Sequence, residues 1–257
     1  HAWSGGIQCS GRARGGRPVS VLAPEMERAA ALQCVRVTGR VASVRGLTLL
    51  ADDLPLGLGS LVTVRGPGAG GSGAGVPGEV IGFSREQAVV MLLGQPAGIR
   101  PGDRVVGEQS SPTVGVDKRL LGRVIDGLGR AVDGLGPVGE LSERAVNPAP
   151  IAPMRRRRIT RALATGVRCV DLMTTLGKGQ RLGVFAGPGV GKSTLLGSIA
   201  RRTSADVNVI ALIGERGREV KDFIEHALGP EGLRRSVVVV ATGDDSPLLQ
   251  IRAAKVA

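Results

Sequence analysis

The chain has 257 residues, 42% of them hydrophobic and 22% charged, which is enough apolar material for a sizeable core and excludes wholesale disorder. Glycine supplies 41 residues, more than twice the usual share of roughly 7%, without the G-X-Y period of collagen; one Trp, three Phe and no Tyr are too few for a surface of repeated base-stacking platforms. The net charge of +12, carried mostly by arginine, draws the chain toward polyanions in general and by itself chooses no partner.

Residues 1–33 read as a flexible N-terminal tail, Gly- and Arg-rich to Arg17 and then PEMERAAALQ, a candidate for a short amphipathic helix. The chain opens on His1, and Met26 is a candidate natural start. Over 34–107, short β-branched runs (VRVTGRVASV, LTLL, SLVTVRG, GEVIGF, QAVVMLL, DRVVG) alternate with Gly, Pro and Asp turns, a rhythm that predicts a small closed barrel or sandwich. Gly66–Gly78, GPGAGGSGAGVPG, is expected to be a flexible excursion with no strand in it. Residues 108–257 then change character. GRVIDGLGRAVDG carries two Asp-Gly pairs, Asp126-Gly127 and Asp133-Gly134, that mark tight turns and not a catalytic pair. Pro148, Pro150 and Pro153 lead an extended segment into Arg155–Arg158, read as a solvated strap.

From Arg181 the pattern is strand, loop, helix, repeated: RLGVFA, GPGVGK, STLLGSIARRT, then NVIALIG, ERGREVKDFIEHAL, then SVVVVAT, and finally PLLQIRAAKVA as the start of another helix. Apolar runs alternating with amphipathic helices predict a parallel sheet covered on both faces, with a further strand expected after Ala257. Cys9, Cys34 and Cys169 have no C-x-x-C spacing, so neither a disulfide framework nor a zinc site is expected and a reducing, cytoplasmic setting fits. No apolar run reaches the roughly 18 residues of a spanning helix, and the first residues lack the apolar stretch of a signal peptide.

The chemistry concentrates at Ala186–Ser193, which fits the phosphate-binding pattern [AG]-x-x-x-x-G-K-[ST]. After a strand and before a helix, the backbone N–H groups of Gly187, Pro188, Gly189, Val190 and Gly191 (proline excepted, having none) and the helix N-terminus converge on one anion, and the glycines admit it without Cβ collisions. Lys192 is expected to reach the β- and γ-phosphates, and Ser193 to ligate Mg2+; Thr194 follows as a neighbouring helix residue. Glu215 is expected at the C-terminal end of the next strand, on the ligand side of a parallel sheet, where a carboxylate can polarise an attacking water. The same position suits an acidic residue that only complements a helix dipole, and the residues alone leave both readings open; Arg216, Arg218 and Glu219 are ambiguous in the same way. Cys169 is expected to be a buried packing residue, His226 to lie on a helix surface without a catalytic partner, and His1 is terminal. No metal site of His or Cys is expected.

The stretch from GVRCVDLMTTLGKGQRLGVFAGPGVGKSTLLGSIA through NVIALIGERGREVKDFIEHALGPEGL to SVVVVAT resembles the export ATPases of flagellar and type III secretion systems, relatives of the catalytic subunits of rotary ATP synthases. The likeness runs from about Val35 to Ala257. It implies an α/β chain in which a small N-terminal β-barrel precedes an incomplete P-loop (RecA/F1-type) parallel-sheet ATPase core, with Glu215 as the catalytic glutamate beside Lys192. It further implies ATP and Mg2+, a homohexamer, and a cytoplasmic place peripheral to the inner membrane at the export apparatus. Expected partners are export-apparatus proteins, a stator-like regulator and chaperone–cargo complexes. The tract GERGREVKDFIEHALGPEGLRRSVVVVATGDDSP looks more like the flagellar branch than the injectisome branch. Two departures stand out. A Gly/Arg tail replaces the family's N-terminal helix, and the Mg2+-supporting Asp strand, the neighbour-reaching arginine, the adenine-contacting segment and the C-terminal helical domain are not in the sequence, so the chain alone is expected to be inactive. A hexameric RNA translocase would share the core, and +12 would suit RNA, but Phe83 is the only aromatic between 34 and 107, which argues against nucleic acid.

Overall fold

The computed structural model describes residues 36–66, 75–109, 112–187 and 189–257. The expected tail and its PEMERAAALQ helix lie outside the described residues. Six strands come first: β1 (Thr38–Arg45), β2 (Thr48–Asp52), β3 (Leu61–Arg65), β4 (Val76–Ser84), β5 (Gln87–Leu92) and β6 (Arg104–Gln109). They pair antiparallel in the order β1-β2-β5-β4-β3-β6, and β6 returns to β1 to close the barrel. Strands β2, β3 and β5 alternate, so Leu49 and Ala51, Val62 and Val64, and Ala88, Val90 and Leu92 sit in one apolar interior while the residues between them are less buried. Closure needs local bending, and the register slips between Val41 and Ser43, between Leu61 and Val62, and between Val80 and Gly82. Gly39 is required by this closeness, because a Cβ there would sit 2.3 Å from the carbonyl oxygen of Asp52. The expected strandless excursion over Gly66–Gly78 is too long by three residues, since Val76, Pro77 and Gly78 begin β4 and pair with β3. Val76 is drawn in by its burial in the barrel core, which a Gly- and Pro-rich local composition does not reveal.

Beyond the barrel, β7 (Thr113–Val116) pairs antiparallel with β9 (Ser142–Ala145), and between them lies β8 (Val124–Asp126). Two short strands, β10 (Ala162–Leu163) and β11 (Leu176–Gly177), flank helix α1 (Arg168–Met173). Helix α2 (Lys192–Arg202), strand β12 (Asn208–Glu215), helix α3 (Gly217–Asp222), a π-helical turn over Phe223–Leu228, helix α4 (Gly229–Arg234), strand β13 (Ser236–Thr242) and helix α5 (Pro247–Val256) complete the order.

The core sheet is parallel, with β13 between β12 and β8. Successive residues of β13 serve opposite faces. Val238 packs with Phe223, Leu228 and Ala200 from the helices on one side, while Val239 and Ala241 pack with Ala253 of α5 on the other. Both faces of β13 are therefore covered, as a continuous apolar run demands, whereas on β12 the cover expected on both faces is incomplete, with Val209 54% exposed and Ala211 exposed. The tract Arg181–Ala186, expected as the strand leading into the phosphate loop, is not a strand here: it has no ladder partner, and Phe185 is 97% exposed. A strand exists only where another backbone completes its hydrogen bonds. β12 is paired on one edge by β13, and among the described residues its other edge has no partner strand.

The two Asp-Gly sites are turns, as expected, but each carboxylate does more than turn the chain. Asp126 accepts from the backbone N–H of Leu128 and of Arg130, both at 2.8 Å. Asp133 accepts from Arg123 Nε at 2.6 Å and Nη2 at 2.9 Å and from the N–H groups of Val124 and Leu135, tying the start of β8 to the turn that follows it. The guanidinium and these N–H groups hold the Asp133 carboxyl well below the usual carboxylate range. Because the folded value is the lower one, the stabilisation is complete above about pH 5 and fades as pH falls below the unfolded value of about 3.9. Asp133→Asn leaves Arg123 without its counter-charge and is expected to lower stability at neutral pH, a penalty that shrinks toward acid pH. Urea unfolding of both proteins at about pH 7 and about pH 3.5 checks both points.

Candidate functional site

Helix α2 starts at Gly191, whose φ of 93° lies in the left-handed region that glycine alone enters cheaply. Gly189, at φ 77°, makes the turn before it. At Gly187, Gly189 and Gly191 the space a Cβ would take is open, so a bulky anion can approach this backbone closely. Lys192 and Ser193 form the first turn of α2, followed by Thr194, and no side chain caps the helix, so its N-terminal N–H groups are available to an anion. Pro188 lies outside the described residues.

A cavity of about 1190 Å3 joins this loop to the sheet. Gly187, Gly189, Gly191, Lys192, Ser193 and Thr194 line one side, and Glu215, at the C-terminal end of β12, lines the other. Val190, 67% exposed, stands at the loop's outer surface and does not line the cavity. Glu215 owes its place to a bulge. Gly214, at φ 73°, shifts the register between Ile213 and Glu215, and the N–H of Gly243 then donates to the Glu215 carbonyl at 3.1 Å. A β-branched residue could not take that φ without strain. The loop beyond β13 is held in turn by Asp245, which accepts from the N–H and hydroxyl of Thr242, and by Gln250, which donates to the Thr242 carbonyl at 3.1 Å.

Two more carboxylates, Glu219 and Asp222, also line the cavity. Asp222 was not singled out in the sequence, because in DFIEHAL nothing marks which side of the helix faces the cleft. Arg216 stands 3.4 Å from Glu219, an exposed pair of the helix-surface kind. His226 lies on the helix surface as expected, 3.2 Å from Asp222, and among the described residues no metal-binding cluster of His, Cys, Asp and Glu occurs. Cys169 corrects the sequence reading: it is exposed and free on α1. Ahead of it Thr165 is fully buried, and Asp171 accepts from the Thr165 N–H at 2.8 Å and hydroxyl at 2.7 Å and from the N–H of Gly166 at 3.1 Å. Those donors hold the Asp171 carboxyl below its ordinary range.

Residues 35–108 match the β-barrel domain, and residues 166–257 the nucleotide-binding domain, of the ATP synthase alpha/beta family. The chain belongs to that family. It is 43% identical over 223 residues to the flagellum-specific ATP synthase of Aquifex aeolicus, aligning 87% of this chain with 49% of that one. It is 46% identical over 219 residues to its counterpart in Pseudomonas aeruginosa, covering 85% of this chain and 48% of that protein, and 49% identical over 178 residues to the type 3 secretion system ATPase of Xanthomonas euvesicatoria, covering 69% and 40%. The assembled ATPase EscN of the enteropathogenic E. coli type III secretion system, solved with its central stalk EscO, superposes with a TM-score of 0.77 at 34% identity over 85% of this chain and 52% of EscN. The chain spans about half the length of the curated relatives it matches. The fold expected from the sequence, a small barrel ahead of a parallel-sheet P-loop core, is the one found.

Gly197 sets the distance between α2 and the π-helical turn, since a Cβ there would meet the carbonyl oxygen of Ala227 at 2.4 Å. Gly197→Val is expected to push α2 away, lowering stability by about 2 kcal/mol and weakening any phosphate ligand through the displaced Lys192. Thermal unfolding with and without a nonhydrolysable ATP analogue checks this: the ligand-induced rise in Tm should shrink along with Tm itself.

Proposed function

We propose that this chain is the barrel and nucleotide-binding part of an ATPase that drives protein export through a flagellar type III secretion apparatus. The observation that carries the reading is the single cavity shared by the phosphate loop and Glu215. The relatives named above support the export assignment, with flagellar proteins prominent among them.

In this reading the backbone N–H groups from Gly187 to Lys192 cradle the phosphates of ATP, and the Lys192 ammonium balances charge on the β- and γ-oxygens. The site has an oxygen donor of the kind Mg2+ takes: Ser193, in the first turn of α2, lines the cavity and would hold the ion together with the phosphate oxygens. A bound Mg2+ would neutralise negative charge on the phosphate oxygens. Glu215 accepts a hydrogen bond from the attacking water and orients it toward the γ-phosphorus, and its half-buried position keeps the carboxylate aimed.

Among the described residues the outer edge of β12 and the tract Arg181–Ala186 have no partner strand, which supports a complete catalytic unit containing further strands, in keeping with the greater length of the relatives. The complete assembly is a homohexamer at the export apparatus, cytoplasmic and peripheral to the inner membrane, in contact with apparatus proteins, a stator-like regulator and chaperone–cargo complexes. No helix among the described residues is long and apolar enough to cross a membrane.

Lys192→Ala is expected to weaken ATP binding by this chain at least about tenfold, the scale of one lost hydrogen bond to a charged group, without loss of fold. Calorimetric titration checks it, and unchanged affinity would sink the phosphate-loop assignment. Hydrolysis by the 257-residue chain itself is expected to be negligible. In a chimera extended with the remaining residues of the Aquifex aeolicus relative, Glu215→Gln should keep ATP binding while turnover falls by roughly 10²–10⁴. A drop of less than tenfold would assign Glu215 to a helix-dipole role.

A further inference from the structure

Helix α5 grips a different part of the molecule on each side. Gln250 and Arg252 are two residues apart, about 200° around a helix, so their side chains leave α5 on nearly opposite faces. On one face Gln250 donates to the carbonyls of Thr242 at 3.1 Å and Asp245 at 3.2 Å, and the Asp245 carboxylate accepts from the N–H of Thr242 at 2.7 Å. Inside that loop the N–H of Gly243 donates to the Glu215 carbonyl at 3.1 Å. On the other face Arg252, 3% exposed, donates from Nε to the Gly127 carbonyl at 3.1 Å and from Nη2 to the Thr113 carbonyl at 3.4 Å. Its Nη1 lies 3.6 Å from the carboxylate of Glu79 on barrel strand β4. The helix sits hard against the turn after β8, where a Cβ on Gly127 would come within 2.8 Å of the Leu249 carbonyl oxygen and 3.1 Å of the Ala253 nitrogen.

We propose, resting on the reading of Glu215 as the carboxylate that orients water, that Arg252 paired with Glu79 is a positioning residue for ATP hydrolysis: it fixes α5 against the barrel and so sets where the loop after β13 holds Glu215. The contacts run without a break from Glu79 through Arg252 and α5 to Gln250, and on through the Thr242–Asp245 loop to the Glu215 backbone. Arg252 does not line the cavity, so its effect on turnover has to pass along that path. An apolar side chain of the same volume would fill the space without the desolvation cost of a buried cation, so packing alone does not call for arginine. The planar fork does what packing cannot. It donates in fixed directions to three separate elements at once, which sets the rotation of α5 as well as its distance, whereas an ammonium is a single point of charge.

The test pairs amide hydrogen exchange in the full 257-residue chain with turnover in the chimera extended by the remaining residues of the Aquifex aeolicus relative. Two variants serve: Arg252→Lys, which keeps a cation opposite Glu79 but loses the fork, and Glu79→Gln, which keeps the shape of the barrel side chain without its charge. In each, exchange at the Gly243 amide is expected to rise about tenfold relative to the Val238 amide, which donates to the Arg123 carbonyl within the sheet; that is the scale of one lost hydrogen bond to a charged group. Equal acceleration of the two amides would make Arg252 an element of global stability only and overturn the proposal. In the chimera each variant should lower kcat about tenfold with KM for ATP within about twofold, because a small misplacement of a reacting group is costly while the phosphate loop is untouched. In a Glu215→Gln background the same variants should lower kcat by less than about twofold more, since a residue acting only through Glu215 has nothing left to position. A full further loss in that background, or a change confined to KM, would overturn the positioning role. The two readings fail separately. Turnover within about tenfold of wild type for Glu215→Gln alone would bring down the catalytic reading of Glu215 and the positioning role with it, whereas a large loss for Glu215→Gln beside unchanged kcat for Arg252→Lys and Glu79→Gln overturns the positioning role alone.

Discussion

The core depends on β13 having a parallel neighbour on each edge. SVVVVAT is apolar at every position but its ends, so it can rest only where both faces and both edges are covered. β12 takes one edge and β8 the other, and helices close the two faces. The register that follows pairs Glu215 with Thr242, which brings the end of β12 level with the end of β13. The site's carboxylate is therefore placed by the demand that a buried strand find hydrogen-bond partners together with the Gly214 bulge, which shifts the register just before Glu215.

A second constraint ties the barrel to this sheet. Arg252 of α5 is 3% exposed, and burial pushes its pKa down while the Glu79 carboxylate of β4, 3.6 Å away, opposes the shift. Its guanidinium also donates to the carbonyls of Gly127 at 3.1 Å and Thr113 at 3.4 Å. A buried cation is tolerated only where its hydrogens find acceptors, and this one draws them from the barrel, from the turn after β8 and from β7. Ser246, capping the same helix, reaches the Leu93 carbonyl of the barrel at 3.4 Å. Helix α5 thus touches both the barrel and the Thr242–Asp245 loop beside Glu215, since Gln250 holds that loop from the same helix.

The edge of β12 that has no partner strand among the described residues borders the cavity. Its walls are polar at the phosphate loop and apolar along Val209, Ile210 and Leu212, and such an apolar wall beside an open strand edge suits added backbone better than solvent. Phosphate binding and sheet completion would meet in one space.

Local signals in the sequence determined the barrel strands, whose alternation is set by a period of two, and the phosphate loop, whose glycines and Lys192 are contiguous. They determined too that the Asp-Gly pairs turn the chain and that helices follow GPGVGK and GER. Tertiary structure alone decided what depends on a distant partner. VID of GRVIDGLG becomes β8 because β13 lies beside it, while RLGVFA, the better strand by composition, has no ladder partner among the described residues and forms no strand. Cys169 is exposed although cysteine is usually buried, because α1 is short and none of its residues is buried. Arg252 is buried although arginine is usually exposed, because acceptors 125 and 139 residues away in the chain converge on it. Pattern within a window reports what a segment prefers, and only the assembled fold supplies the backbone, charge or apolar surface that satisfies it.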